Sequence, residues 1–160
     1  IMLLLSQRIW LFVSILFSLI SVFPALAEIK EFSQITMILG FNTSTGLVTG
    51  NTGGSYSLSS IANRDINDNV CIGYGDPEPD HKMVLEKDFS HLKLELNSHG
   101  NNTTIVVQGP DRDTIRCNFG ENDTEDAAIE DKNWKAGTYQ IWVGSLESDR
   151  RTSYVLSVQK

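Results

Sequence analysis

Basic residues are scarce in this chain. It has 13 Lys and Arg against 20 Asp and Glu, which gives a formal net charge of −7 at pH 7. An acidic chain of this size repels a phosphate backbone, and no stripe of basic residues along the sequence offsets that repulsion. The sequence therefore argues against nucleic acid as a partner.

The patterns of common catalytic sites are also missing. No serine stands in a G-x-S-x-G elbow. The glycine-rich stretch at 50–54 has no P-loop lysine and no predicted helix after it, so we interpret it as a tight β-turn. The three histidines, His81, His91 and His99, fall at predicted strand ends or in a turn, where we expect them to be exposed. We predict that the protein is not an enzyme, and a small secreted hydrolase is the least favoured alternative.

Helical periodicity is nearly absent after residue 27, and alternation with a period of two replaces it. In HLKLELN, for example, Leu92, Leu94 and Leu96 point to one side and the polar residues between them to the other. Two segments do not follow this pattern. Residues 40–54 are predicted to be a loop or loose hairpin, and residues 126–132 (DAAIEDK) a single helical turn. Other strands are predicted at 35–39, 55–61, 82–87 and 103–108, around RCN at 116–118, and in TYQIWVG and SYVLSVQ.

Short strands separated by Gly, Asn and Asp turns are typical of an antiparallel sandwich or barrel. We therefore predict an all-β fold, an antiparallel and jelly-roll-like β-sandwich that forms a single domain.

Cysteine is limited to Cys71 and Cys117. They are far apart, and the chain has no C-x-x-C and no paired histidines, so they make a poor zinc site. Two reduced thiols or a metal-binding pair are the alternatives. In an oxidising compartment two such cysteines pair, and we predict a disulfide between them.

The longest apolar run is IWLFVSILFSLISVF at 9–23, which follows Arg8 and is broken by Pro24 before Ala25-Leu26-Ala27. This layout is typical of a secretory signal peptide cleaved after residue 27. An N-terminal membrane anchor is the alternative, although the run is rather short for a full span. We predict an exported protein, periplasmic or extracellular, with no stable membrane anchor after cleavage.

Carboxylates are concentrated at 76–80 (DPEPD) and at 121–131. Calcium takes six to eight oxygen ligands, which such loops can supply. An EF-hand does not fit, because with Asp123 in its first position Ala128 replaces the turn glycine and Trp134 the bidentate glutamate. We predict a Ca²⁺ site of another type, with a solvated loop as the alternative. The candidate ligands are Asp76, Asp80, Asn118, Glu121, Asp123 and Asp126.

Two tryptophans follow residue 27, Trp134 and Trp142. Exposed aromatic side chains are the usual mark of a sugar-binding face. Trp142 falls on the side of its strand opposite Tyr139 and Ile141, which places it on the outer surface or against a neighbouring segment. Both tryptophans are candidate ligand-binding residues for a carbohydrate or envelope polymer, and packing at the sandwich edge is the alternative.

Several segments from Val70 to Val158 together resemble a known module, the bacterial pre-peptidase C-terminal domain. It is a β-sandwich found on secreted peptidases and in other exported bacterial proteins. The segments are CIGY, PDHKMVLE, LKLEL, TTIVVQGPD, RCN, WKAGTYQIWVGS and SYVLSV. On this basis we divide the chain into a signal peptide at 1–27, lead-in strands and a Gly/Asn-rich loop at 28–65, and the sandwich proper at 66–160.

The resemblance implies a non-catalytic accessory role: stabilising or assisting the export of a partner domain, or attaching to a surface or polymer. It also implies calcium, which some members of the family bind. The family pattern has acidic residues directly after its Cys-Asn pair, whereas Phe119 and Gly120 follow Asn118 here. We expect the partner to be an unidentified protein or a surface polymer.

Overall fold

The computed structural model of the chain describes residues 35–40, 45–120 and 125–160. The predicted signal peptide lies outside these residues, and in the part described no helix is long and apolar enough to cross a membrane. A short 3₁₀ helix spans Leu58–Ser60. The strands are β1 (Ile35–Leu39), β2 (Thr45–Asn51), β3 (Tyr56–Ser57), β4 (Tyr74–Gly75), β5 (His81–Leu85), β6 (Phe89–Asn97), β7 (Thr103–Gln108), β8 (Ile115–Phe119), β9 (Ala128–Trp134), β10 (Gly137–Ser145) and β11 (Ser153–Gln159).

The strands form two sheets, and the predicted all-β fold is confirmed. One sheet has four strands in the order β2-β11-β6-β9. The other has seven strands: β1-β5-β10-β4-β3 in one path, with β7 joined to β10 and β8 joined to β7. Nearly all pairs are antiparallel, as predicted. The exception is β1, which runs parallel to β5 with Leu39 opposite Leu85, so the larger sheet is mixed.

The main core lies between the two sheets, and its members alternate along each strand. Leu92, Leu94 and Leu96 of β6 are buried, as the sequence pattern predicted. They belong to the same buried cluster as Tyr139 and Ile141 of β10, on the opposite sheet. Burying one leucine side chain contributes about 1.5–3 kcal/mol, so this interleaved core is a major source of stability. The arrangement is a β-sandwich.

A second, smaller core covers the other face of the seven-stranded sheet. It contains Leu58 of the 3₁₀ helix, Val106 of β7 and Trp142 of β10, together with the Cys71–Cys117 disulfide. The predicted disulfide is confirmed, with a Cα–Cα distance of 5.4 Å. Because β7 and the second half of β10 have apolar partners on both faces, Thr103–Val107 and Ile141–Ser145 are buried without a break.

The prediction of a helical turn at 126–132 is wrong. These residues belong largely to β9, which pairs with β6 and places Ile129 opposite Leu94. Ile129 and Trp134 of this strand are both buried. Strand formation here depends on the partner strand more than on local propensity, because a half-buried pleated surface is what stabilises it.

The prediction of a loop or loose hairpin at 40–54 is wrong for 45–51, which form the regular strand β2 and pair with β11 along its whole length. Gly50 fits in this strand because Tyr154 packs closely against it. A Cβ atom on Gly50 would lie 2.3 Å from the hydroxyl oxygen of Tyr154. Glycine inside a strand often marks such a close approach. The strand predicted at 55–61 is reduced to β3 and the 3₁₀ helix.

Candidate functional site

His81 is buried, which corrects the expectation that it is exposed. It begins β5, where His81, Met83 and Leu85 alternate into the core and only 2 % of the histidine remains accessible. Its Nε2 lies 2.7 Å from the Tyr154 hydroxyl oxygen. Loss of solvent lowers the pKa of His81 to about 4, so the ring is neutral at pH 7.

The other two histidines are accessible, as expected. His91 Nε2 lies 3.0 Å from the Glu130 carboxylate across β6 and β9. His99 lies in the turn after β6 with a φ of 62°, and its backbone N–H donates to Asn97 Oδ1. Within the described residues no histidine ring is hydrogen-bonded to a serine or cysteine side chain, which is the contact that would activate a nucleophile.

Asp80 joins the proline-rich segment to β10. The Val143 backbone N–H donates to its Oδ2 at 2.8 Å, and the Asp80 N–H donates to the Ile141 carbonyl. Burial raises the pKa of Asp80 to about 7, against the effect of the Val143 hydrogen bond and with a further contribution from the charge of Asp76. Asp76 itself is half-buried. The role that the structure shows for Asp80 is therefore structural.

Asp126 is the acceptor that organises the turn between β6 and β7. Its carboxylate accepts from the Ser98 N–H at 2.7 Å, the Ser98 hydroxyl, the Gly100 N–H at 3.2 Å and the Thr103 hydroxyl at 3.1 Å. Burial alone would raise the pKa of Asp126, but these hydrogen bonds outweigh it and hold the pKa below its usual value. Four donors from the protein therefore already occupy this carboxylate.

The remaining predicted calcium ligands do not come together in the structure. Asn118 lies in β8 opposite Ile105 and is half-buried, while Glu121 and Asp123 lie outside the described residues. Across residues 35–40, 45–120 and 125–160, no group of three or more His, Cys, Asp and Glu side chains is arranged to hold a metal ion. The described part of the predicted set thus gives no complete calcium site.

Both tryptophans are buried, which corrects the hypothesis of a tryptophan sugar-binding face. Trp134 is fully buried, and the Arg116 guanidinium lies 4.1 Å above its ring. Trp142 is 5 % accessible, packs in the second core, and donates from Nε1 to the Pro77 carbonyl. Neither indole presents an open face on which a sugar ring could stack. The sequence alternation placed Trp142 on the correct side of β10, but it could not show that the 3₁₀ segment covers that side.

An open groove crosses the outer face of the four-stranded sheet. It consists of two adjoining depressions of about 670 and 400 Å³, and Asn97, His99 and Val155 line both of them. The first extends to Glu95 and Ser157 of the sheet and to Glu125 and Asp126 beside the turn. The second extends to Thr49, Asn51 and Ser153. We name this surface the outer groove.

The outer groove combines an apolar floor with polar walls. Val155 is 39 % accessible, and Leu47, diagonally adjacent on β2, is 67 % accessible. The side chains around them offer amide, hydroxyl, imidazole and carboxylate groups. Such a surface suits an extended ligand that carries many hydrogen-bonding groups. Sequence reasoning missed this site because it treated residues 40–54 as a loop or loose hairpin with no defined partner strand, and so could not place Thr49 and Asn51 beside β11.

No protein-family model matches the chain, and no curated protein sequence matches it. Among solved structures it is similar to the pre-peptidase C-terminal domain of collagenase from Bacillus anthracis, at 17 % identity and a TM-score of 0.43, covering 79 % of this chain and 96 % of that chain. It is also similar to PliG of Aeromonas hydrophila, a periplasmic inhibitor of g-type lysozyme (10 % identity, TM-score 0.43, coverage 79 % and 98 %). A third similar structure is CorA of Methylomicrobium album BG8, a surface-associated copper-binding protein (11 % identity, TM-score 0.45, coverage 79 % and 98 %). These similarities concern the fold.

Proposed function

We propose that the protein is an exported, non-catalytic accessory module of the pre-peptidase C-terminal type, and that it holds a partner protein or a surface polymer in the outer groove. The observation that carries this proposal is the continuity of the groove. Asn97, His99 and Val155 join two depressions into one open surface on regular strands, where an extended ligand can lie. The buried disulfide supports export, because such bonds form and persist in oxidising compartments.

The positions of the histidines support binding without catalysis. His81 is neutral and buried against Tyr154, so it is not positioned to exchange protons with a bound substrate. His91 is engaged with Glu130 on the sheet surface. His99 does border the groove, but general acid–base catalysis there would also require a positioned nucleophile or second acid–base group. In this proposal His99 is a hydrogen-bonding residue of the groove.

A second candidate function, binding of a carbohydrate or envelope polymer, is favoured by the chemistry of the groove wall. Asn51, Asn97, Thr49 and Ser153 can each donate and accept hydrogen bonds, as polymer hydroxyl groups do. Glu95, which is paired with Lys93 at 2.9 Å, and Asp126 border the first depression, and the chain is acidic overall. A neutral or basic polymer therefore fits this surface better than an acidic one.

Binding to a glycan array and to insoluble envelope polymers tests the proposal, using two matched variants. Val155→Arg places a long cation on the floor of the groove and is expected to weaken binding at least tenfold. Gln159→Arg adds the same side chain to the same face of β11, outside the groove, and is expected to leave binding unchanged. If polymer binding survives Val155→Arg, the outer groove is not the site. If no polymer binds, the carbohydrate function is excluded and an isolated partner protein becomes the ligand to test with the same variants.

Calcium remains a proposal for the segment that contains Glu121 and Asp123. Its support is the number of carboxylates there and the position of Asp126, which is anchored directly after that segment. Thermal unfolding in excess EDTA, in millimolar Ca²⁺ and in Mg²⁺ tests it, since a ligand of the native state raises stability by about 2.7 kcal/mol at a hundredfold excess over Kd. A rise with Ca²⁺ alone that Asp123→Asn removes is the expected result, and the absence of any shift would exclude a stabilising calcium site.

A further inference from the structure

A second cleft, separate from the outer groove, contains a buried arginine. It has a volume of about 340 Å³ and lies beside β8 and β9, with Arg116, Lys132 and Lys135 among the side chains that line it. The Arg116 side chain is only 5 % accessible, yet it forms part of the wall. A charged side chain is rarely buried to this extent unless it is paired, so its contacts decide what it can do.

Arg116 is held rigidly from two directions. Its guanidinium lies 4.1 Å above the ring of Trp134, and its Nε donates to Asp131 Oδ2 at 2.6 Å. Nη2 makes a weak contact of 3.4 Å with the Lys132 carbonyl. Within the described residues Nη1 has no protein acceptor, and it is not among the fully enclosed atoms without a partner. The Nη1–Nη2 edge is therefore the part of the fork that remains available to a ligand in the cleft.

The charge of the cleft differs from that of the chain. Three cationic side chains line it, together with two carboxylates, Asp111 and Asp131, whereas the chain as a whole has a net charge of −7. Asp131 is already paired with Arg116; burial would raise its pKa, but hydrogen bonds from Lys132, Arg116 and Asn67 outweigh that effect and keep it low. Lys135 is paired with Asp88, outside the lining residues, at 2.8 Å. With Asp88 counted, three carboxylates balance the three cations, and Lys132 is the cation that forms no ion pair within the described residues, so the cleft suits a group with one negative charge better than a dianion.

We propose that this cleft binds a single carboxylate group, which accepts hydrogen bonds from the Nη1–Nη2 edge of Arg116 and is attracted by Lys132. The planar guanidinium fork matches a planar carboxylate, and charge-assisted pairs of this kind are among the strongest hydrogen bonds in proteins. Stacking on Trp134 and the bond to Asp131 fix the fork in advance, so little side-chain freedom is lost on binding. The carboxylate can come from the C-terminus of a peptide or from a uronic acid. Because the cleft is separate from the outer groove, this inference does not depend on the proposed function.

Titration calorimetry on the full protein tests the proposal with two probe pairs. The peptide pair is N-acetyl-Gly-Gly and its C-terminal amide, and the sugar pair is the methyl glycoside of galacturonic acid, whose carboxylate is free, and methyl galactoside. We expect at least one acid to bind, and its uncharged counterpart to bind at least tenfold more weakly. Whichever acid binds identifies the source of the carboxylate. Binding should weaken with added salt, because part of the attraction comes from exposed Lys132.

Three variants distinguish hydrogen bonding by the Arg116 guanidinium from non-specific attraction by positive charge. Arg116→Lys keeps the charge but removes the fork and is expected to weaken binding at least tenfold. Lys132 is exposed, so Lys132→Gln leaves the core and the folding of the protein intact, and it should weaken binding severalfold. Arg151→Gln removes the same charge from the loop at the opposite end of β10 and should have no effect. The proposal is overturned if neither acid binds, if acid and uncharged probe bind equally, or if Lys132→Gln and a folded Arg116→Lys both bind as the native protein does.

Discussion

Replacing Asp80 with asparagine is expected to stabilise the protein, and the gain should increase with pH. The Asp80 carboxylate is largely removed from water and accepts a hydrogen bond of 2.8 Å from the Val143 N–H. An asparagine Oδ1 can accept that same hydrogen bond without carrying a charge. The substitution therefore isolates the free-energy cost of burying the ionised carboxylate.

The size of this effect follows from the two pKa values. The ordinary value is 3.8, and burial raises the pKa of folded Asp80 to about 7. Each pKa unit corresponds to about 1.4 kcal/mol, so ionised Asp80 lowers the free energy of unfolding by up to about 4 kcal/mol. Because the folded pKa is the higher one, the cost is absent below pH 4, grows as pH rises towards 7, and is complete above 7. Asp80→Asn should thus match the native protein at pH 4 and exceed it at pH 8.

His81 opposes this trend in the native protein. Burial lowers the pKa of His81 from 6.5 to about 4. The neutral ring therefore contributes to the free energy of unfolding above pH 6.5, and this contribution is lost as pH falls towards 4. That contribution amounts to about 3 kcal/mol. Between pH 4 and 6.5 the effects of Asp80 and His81 on stability largely cancel. In Asp80→Asn only the histidine remains, and stability should rise steadily across this range.

Urea unfolding at several pH values from 4 to 8 measures the effect, with exposed Asp113→Asn as the matched control. The free energy of unfolding of Asp113→Asn should show the same dependence on pH as that of the native protein. If Asp80→Asn raises the free energy of unfolding by the same amount at every pH, the effect does not come from ionisation of Asp80. A loss of stability at pH 8 would show that the carboxylate makes a contact there that the amide does not replace.

Three further outcomes are expected. Replacing Cys71 and Cys117 together with serine should lower the free energy of unfolding by about 4 kcal/mol, as urea unfolding would show, and an unchanged midpoint would contradict the chain-entropy estimate. Asp126→Asn should lower the thermal midpoint by several degrees, because four donors lose a charged acceptor; faster amide exchange at Gly100 would confirm that the turn has loosened. Trp142→Ala should cost about 3–5 kcal/mol through the cavity that it leaves, whereas a surface role would leave stability nearly unchanged.

The elements that sequence reasoning predicted correctly share a local signature. The alternation of Leu92, Leu94 and Leu96 is decided by neighbouring residues, because successive side chains of a strand point to opposite faces. The β-branched run of β7 and the alternation in β11 are read in the same way. The disulfide followed from the count of cysteines and the expected compartment. In each case the information lies within a few residues or in the composition.

The elements that it missed depend on partners far away in the chain. β2 contains two glycines and is held by β11, about a hundred residues later, and β9 is held by β6. Asp126 looked like a free ligand because its donors, Ser98, Gly100 and Thr103, precede it by more than twenty residues. The role of a carboxylate is set by the donors around it, and the sequence does not show them.

The sequence by itself determined that this chain is an acidic β protein with two cysteines that can form a disulfide and with no recognisable catalytic motif. Strand periodicity, charge and cysteine count are properties of the chain, so they can be read without a fold. Only the tertiary structure decided which segments cover the faces of the strands. It buried His81 and both tryptophans, joined β2 and β11 under the outer groove, and placed the Arg116 fork beside a cleft. The reason is physical: burial and electrostatic environment are produced by the packing of distant segments, and they exist only after the sheets have come together.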